Sequence, residues 1–139
     1  MRPIVVFDTN VLISGMIWGG VPYDCIALTH ENKVEAVTCS EILDEFSEKL
    51  TTKFNASPSR AADIVAELLN FHQLVKITNK LKSVTADPDD DKVIECAIIG
   101  GATHIVTGDK KHLLPLESYQ GVLIVKAADL LVQFQEKIS

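Results

Sequence analysis

Short β-branched runs recur along the chain at Ile4 to Phe7, Val34 to Thr38, Leu74 to Ile77, His104 to Thr107 and Val122 to Val125, and most have no polar break. A strand with one wet face alternates apolar and polar residues, whereas a strand buried on both faces does not. The unbroken runs therefore predict a parallel sheet covered on each side. The intervals supply the cover. Pro22 to His30 reads as a helix, and Ser40 to Leu50 as another, capped by Ser40 or Thr38. Thr51 to Ala56 links it to a helix that Ser57 and Pro58 cap and open and that runs to about His72. A helix from Asp90 to Gly100 stops at Gly100-Gly101, and a last one spans about Ala127 to Glu136. Strands alternating with helices define an α/β sandwich with a mainly parallel five-stranded sheet. A chain of 139 residues fills one ordinary core, so residues 1–139 are expected to form a single domain.

Composition narrows the function classes. No apolar run approaches the ~20 residues of a membrane span, and Met1-Arg2-Pro3 leads into a strand without the shape of a signal peptide. Cys25, Cys39 and Cys96 are odd in number and lack CxxC spacing, which predicts reduced core thiols in a cytoplasmic protein. A net charge of −6 argues against coating nucleic acid by bulk electrostatics. An enzyme acting on nucleic acid through a carboxylate–metal site would itself be acidic.

In an open parallel sheet, ligands bind beyond the carboxyl ends of the strands. Asp8 directly follows the first strand and Asp109 lies two residues past the fourth, so both fall on that rim. Either alone would read as a turn or cap residue; two on one rim point to a site. On the helix from Ser40, the apolar stripe is Ile42, Leu43, Phe46 and Leu50, and Glu45 lies nearest to it among the acids. Glu41, Asp44 and Glu48 read as a solvated face. The run DPDDDKVIE fails as an EF-hand loop, because Lys92 and Ile98 stand where Gly and Glu are needed. Most of its acids complement a helix dipole. Asp90 differs: Val93, Ile94 and Ala97 share its face, while Asp91 projects sideways. Four carboxylates gathered without a cation repel strongly, by about 3 kcal/mol for each pair ~5 Å apart at an effective dielectric near 20. All-oxygen ligands select Mg²⁺ or Mn²⁺ over Zn²⁺. His30, His72, His104 and His112 are scattered, and HExxH is absent, so no histidine pair competes.

These residues resemble the motifs of the PIN domain family, the ribonuclease fold of VapC-type toxins. VVFDTNVLIS resembles the first motif, SEILDEF the second, and DPDDDKVIECAIIGGATHIVTGDKKHLL the third and fourth together. The Thr-Gly-Asp-x-x-x-Leu-Leu ending is similar to that of a PIN subgroup of toxin components, and the likeness spans residues 4 to 125. The resemblance implies a three-layer α/β/α sandwich and metal-dependent hydrolysis of RNA phosphodiesters by water. It implies that Asp8, Glu45, Asp90 and Asp109 hold one or two Mg²⁺ or Mn²⁺ ions, with Asn10 and Thr107 as polar helpers that orient the acids. Asp91 is a supporting or alternative ligand. It further implies a homodimer and a protein antitoxin as partner.

Lys110 and Lys111 beside Asp109, and Lys49 and Lys53 on the Glu45 helix, suit RNA phosphates, although solvation is the commoner fate of lysines. Trp18, in the loop after the first motif, either stacks on a base or packs on the next helix. Rival classes lack their residues. A receiver domain needs an acidic pair after the first strand and an Asp ending the third, where Ile77-Thr78-Asn79 stands. A haloacid-dehalogenase-type phosphatase needs a second Asp where Asn10 stands. A catalytically idle PIN module that binds RNA or a protein partner is the surviving non-enzyme alternative.

Overall fold

The computed structural model describes residues 2–135. Strand β1 (Ile4–Phe7) pairs in parallel with β2 (Glu35–Thr38) on one side and with β4 (His104–Val106) on the other. β3 (His72–Leu74) extends the sheet beyond β2, and β6 (Val122–Val125) beyond β4, both in parallel. β5 (Ser118–Tyr119) adds an antiparallel edge to β6, giving the order β3-β2-β1-β4-β6-β5. The sheet is mainly parallel as expected, with six strands in place of five. The extra strand is two residues long, too short to leave a periodic signal. Its return turn uses Gln120 at φ 47° and Gly121 at φ 85°.

Helices α1 (Thr9–Trp18), α2 (Gly20–Ala27), α3 (Ser40–Lys53), α4 (Pro58–Leu69), α5 (Pro88–Ile99) and α6 (Ala127–Gln135) flank the sheet. α5 lies against β1, β2 and β4, while α1 and α2 pack on each other and α2 on α6. Helix α1 is absent from the sequence reading, and Trp18 ends it rather than occupying a loop. Val11, Leu12, Ile13 and Gly15 are all buried, and Asn10 and Ser14 alone are too few to mark the period of this helix. Gly15 permits the close approach to α2, because a Cβ there would sit 2.6 Å from Ile26 Cδ1.

Other boundaries move for local reasons. α3 continues three residues past Leu50, and its N-cap is Cys39, which makes no side-chain capping bond. Ser57 caps α4 as expected, accepting from the Arg60 N–H at 3.1 Å. α4 ends at Leu69, before His72, which joins β3 instead. The third strand thus lies earlier than Leu74 to Ile77; Ile77 is buried by packing rather than by pairing. Gly100 caps α5, and Gly101 turns the chain at φ 68°. Glu136, the expected end of the last helix, lies outside the described residues.

The sheet interior is apolar: Val5, Val6, Ile105 and Val106 are wholly buried, and Cys25, Cys39 and Cys96 are buried and unbridged. Thr38, His72 and His104 are the buried polar residues of the strands, and His72 stands out among them. Its Nδ1 lies 2.8 Å from the Leu68 carbonyl, its ring meets Phe7 edge-on, and Nε2 has no partner. Burial pushes its pKa down to about 4. An unfolded chain would protonate this ring near pH 6.5, so His72 withdraws stability as pH falls from 6.5 towards 4, by about 3 kcal/mol in all. His72→Gln is expected to remove that part of the acid sensitivity, read as the pH dependence of the difference in Tm from the wild type. An unchanged pH profile would show that the ring already titrates normally.

Candidate active site

The chain passes from β1 through β2 to β3 on one side of the sheet and then crosses to β4 on the other. The crevice between β1 and β4 is therefore the switch point of the topology, where open α/β sheets bind ligands. Val6 faces Ile105 and Phe7 faces Val106, and the Asp8 N–H donates to the Val106 carbonyl at 2.9 Å. This register sets Asp8 beside Thr107.

Thr107 is fully buried and joins two of the acids. Its hydroxyl donates to Asp8 Oδ2 at 2.8 Å and accepts the Asp109 N–H at 3.0 Å. Asp8 stands at the N-cap of α1 yet makes no side-chain capping bond, so a cap role does not explain its carboxylate. Burial pushes its pKa up, the Thr107 bond opposes this, and the charges of Glu45 and Asp109 add to the rise.

Asp109 does form its turn. Oδ1 accepts the N–H of Lys111 at 3.0 Å and of His112 at 3.3 Å, and Oδ2 accepts that of Leu113 at 3.1 Å. Burial works against ionisation here, but these N–H groups and the Asp90 side chain outweigh it and hold the pKa down. Turn former and site carboxylate are thus roles of one residue, because a carboxylate has more lone pairs than the turn consumes.

Asp90 reaches the same point from the first turn of α5. It is 8 % exposed, and burial first, then its bond with Asp109 and the charges of Asp8, Asp109 and Asp87, push its pKa up to about 8. Asp91 does not project sideways into solvent: it is 4 % exposed, and its Oδ1 accepts the Thr85 N–H at 2.8 Å. That bond ties down the segment before α5 through one of the two carboxylate oxygens.

Glu45 is half-buried on α3, and its Oε1 lies 3.1 Å from Lys49 Nζ, which also donates to Asn10 Oδ1 at 3.0 Å. Lys49 thus bridges two residues of the site instead of pointing to solvent. Its ammonium competes with any cation for Glu45. Lys49→Met is expected to tighten Mn²⁺ binding several-fold in calorimetric titration, since an ion pair of this exposure is worth roughly 0.5–1 kcal/mol. Weaker binding in the variant would show that Lys49 orders Glu45 more than it competes. Glu41, expected among the solvated acids, instead accepts Asn79 Nδ2 at 2.8 Å, and that bond leads in holding its pKa down.

Three residues of this region were missed as site residues. Among the described residues, Asp87, Asp90 and His112 bring one potential metal donor each within 4.8 Å of one another. His112 is distant from Asp90 in sequence, so no local spacing could have paired them. Lys126 is the third omission in this region. With Asn10, Ser14, Lys110 and Lys111 it lines a groove of about 780 Å³ that opens on Thr107 and Asp109. Its position directly after β6 was the available signal. Lys53 is exposed at the end of α3 and is not among the groove residues. Trp18 packs edge-on against Phe54, with ring centroids 6.4 Å apart, yet is 74 % exposed. The donor set fits a divalent cation: hard carboxylate oxygens that repel one another, with Asp90 buried and given no backbone N–H to balance a charge.

An α/β domain with an acidic crevice at the switch point of its sheet is the class that this fold and site define. The chain belongs to the PIN domain family, whose model matches residues 4–111. Its fold is similar to that of VapBC2 from Rickettsia felis, solved bound to a DNA fragment from the promoter, with a TM-score of 0.62 and 12 % identity over 87 % of this chain and 96 % of that one. It is also similar to PAE2754 from Pyrobaculum aerophilum, with a TM-score of 0.61 and 16 % identity over 98 % and 99 % of the two chains. At such identities the likeness is one of fold. No curated protein matches the sequence.

Proposed function

We propose that this protein is a Mg²⁺- or Mn²⁺-dependent endoribonuclease, the toxin component of a type II toxin–antitoxin pair, acting as one domain in the cytoplasm. The observation that carries the reading is the approach of Asp8, Asp90 and Asp109 at the β1/β4 crevice, close enough for their charges to act on one another. Asp8, Glu45, Asp90 and Asp109 would hold the ions. When bound, the ions supply Lewis acidity at the scissile phosphate and make water a competent nucleophile. The protein's own groups do the positioning. Thr107 fixes Asp8 relative to the Asp109 backbone. Asn10 and Lys49 set Glu45. Lys110, Lys111 and Lys126 offer ammonium groups to the RNA backbone along the groove.

The proposed partner is a protein antitoxin, bound to a homodimer of this chain. An apolar groove lined by Met16, Ile17, Trp18, Leu50, Phe54 and Ile64 supports a protein partner, because exposed apolar surface of this kind marks interaction sites. No helix among the described residues is long and apolar enough to cross a membrane.

Labelled single-stranded and structured RNAs, and DNA of the same sequence, incubated with Mn²⁺ or Mg²⁺ test the substrate class. RNA is expected to be cut and DNA spared. Lys110→Ala or Lys111→Ala should weaken RNA affinity and flatten its salt dependence, with turnover at saturation kept. Binding of RNA without cleavage in either metal would favour the idle module.

A further inference from the structure

The cluster KKH, residues 110 to 112, divides its side chains between two surfaces. Lys110 and Lys111 line the open groove, whereas His112 turns inward to meet Asp87 and Asp90. The three donor atoms lie within 4.8 Å of one another. Three ligands each ~2.1 Å from a shared ion stand ~3.0–3.6 Å from one another. Shifts of up to about 1 Å in flexible side chains therefore close the triad.

Each member is held in place by something other than a metal. Asp87 caps α5, its Oδ1 accepting the Asp89 N–H at 2.9 Å, while the Thr85 hydroxyl donates to its carbonyl at 2.8 Å. Oδ2 is left available. The His112 backbone is fixed by the Asp109 carboxylate at 3.3 Å, and the following Leu113 is wholly buried, which anchors the turn. Neither ring nitrogen of His112 has a hydrogen bond among the described residues. Asp90 lies between this triad and the carboxylates of Asp8 and Asp109.

We propose that Asp87, Asp90 and His112 form a mixed nitrogen–oxygen position for a borderline divalent ion of the Mn²⁺ or Zn²⁺ kind, beside the all-carboxylate position and sharing Asp90 with it. The inference rests on the metal-dependent reading of the same crevice. It adds a ligand type that this reading lacks. Imidazole favours first-row transition ions over Mg²⁺, which keeps to oxygen. The two positions then differ in preference: oxygen ligands alone for Mg²⁺, and the triad for the softer ion. Asp109 links them, since its carboxylate both faces Asp90 and holds the turn that presents His112.

The test uses tag-free full-length protein loaded with Mn²⁺ and pulsed electron paramagnetic resonance, which detects a coordinated ¹⁴N directly. Wild-type protein is expected to show ¹⁴N modulation, and His112→Ala to lose it with Mn²⁺ affinity lowered by about 10- to 100-fold. Mg²⁺ binding by calorimetry should stay within about two-fold in that variant, because its ligands are untouched. Asp87→Asn should weaken Mn²⁺ yet keep the ¹⁴N signal, which separates loss of a ligand from loss of the fold; His112→Gln serves as a second, size-preserving variant. Mn²⁺ bound by wild type without ¹⁴N modulation, or modulation that survives His112→Ala, would overturn this proposal and leave the ribonuclease reading standing. Binding of neither ion would overturn both.

Discussion

Asp90→Asn is expected to lower RNA cleavage by about three orders of magnitude while raising the Tm of the metal-free protein at neutral pH. The two effects share one cause. Removing a ligand forfeits several kcal/mol of charge stabilisation at the reacting phosphate, which corresponds to about 10³ in rate. In the absence of metal the carboxyl is a liability, because burial beside Asp8, Asp109 and Asp87 makes it keep a proton that the unfolded chain releases. Asp90 is also the cleanest of the acids to change. Asp109 serves three backbone N–H groups and Asp8 takes the Thr107 hydroxyl, whereas the partner of Asp90 is another acid. The pH dependence follows with a definite sign. An unfolded chain releases this proton near pH 4 and the folded chain near 8. Between those values the folded state keeps a proton that the unfolded state has lost, so this group's contribution to stability falls as pH rises through the window. The Tm advantage of Asp90→Asn over the metal-free wild type should therefore grow from pH 5 to 8. An advantage that is flat with pH would mean that Asp90 ionises normally.

Glu95→Ala is expected to be the more damaging change for the fold. Glu95 is 6 % exposed on α5, and one oxygen accepts the N–H of Thr78 at 2.7 Å, the Thr78 hydroxyl at 2.9 Å and the N–H of Asn79 at 3.0 Å. The other accepts the N–H of Leu81 at 3.2 Å. Burial opposes its ionisation, but these donors outweigh burial and hold its pKa below the usual carboxylate range. Its stability contribution is thus present at neutral pH and is lost as pH falls through that lowered value. Truncation leaves several donors unmatched in a part-buried setting, at a cost of roughly 2–4 kcal/mol. For a chain of this size that is about 10 °C in Tm. Glu95→Gln keeps one acceptor oxygen and should fall between the two. Equal Tm values for Glu95→Ala and wild type would show that water replaces the carboxylate at no cost.

Glu95 also shows where the sequence stops being legible. The central strands could be read because burial on both faces leaves unbroken apolar runs, and the rim carboxylates because they follow those strands directly. Asp8 and Asp109 needed only the rule that parallel sheets bind at their carboxyl ends. α1 was hidden by the same burial that revealed the strands, since Asn10 and Ser14 make too short a polar stripe to set a period. Glu95, Asp91 and His112 show another limit, because their partners could not be read. Glu95 folds back on Thr78 to Leu81, Asp91 on Thr85, and His112 onto Asp87 and Asp90. Each partner is set by an irregular segment whose path no periodicity encodes. At Asp109 turn preference and ligand chemistry favour the same residue type, and the fold shows the turn bonds while leaving carboxylate lone pairs for the proposed ion.

An acidic crevice that works through a bound divalent ion cuts only while the ion is present. The most direct measurement is the rate at which one preparation of wild-type protein cuts a labelled RNA with Mn²⁺, after EDTA, and after Mn²⁺ is restored in excess. Cleavage is expected to fall to background with EDTA and to return with the metal, with the Asp90→Asn protein at background throughout. Cleavage that persists in EDTA, or an Asp90→Asn protein that cuts at a rate comparable to wild type, would contradict it.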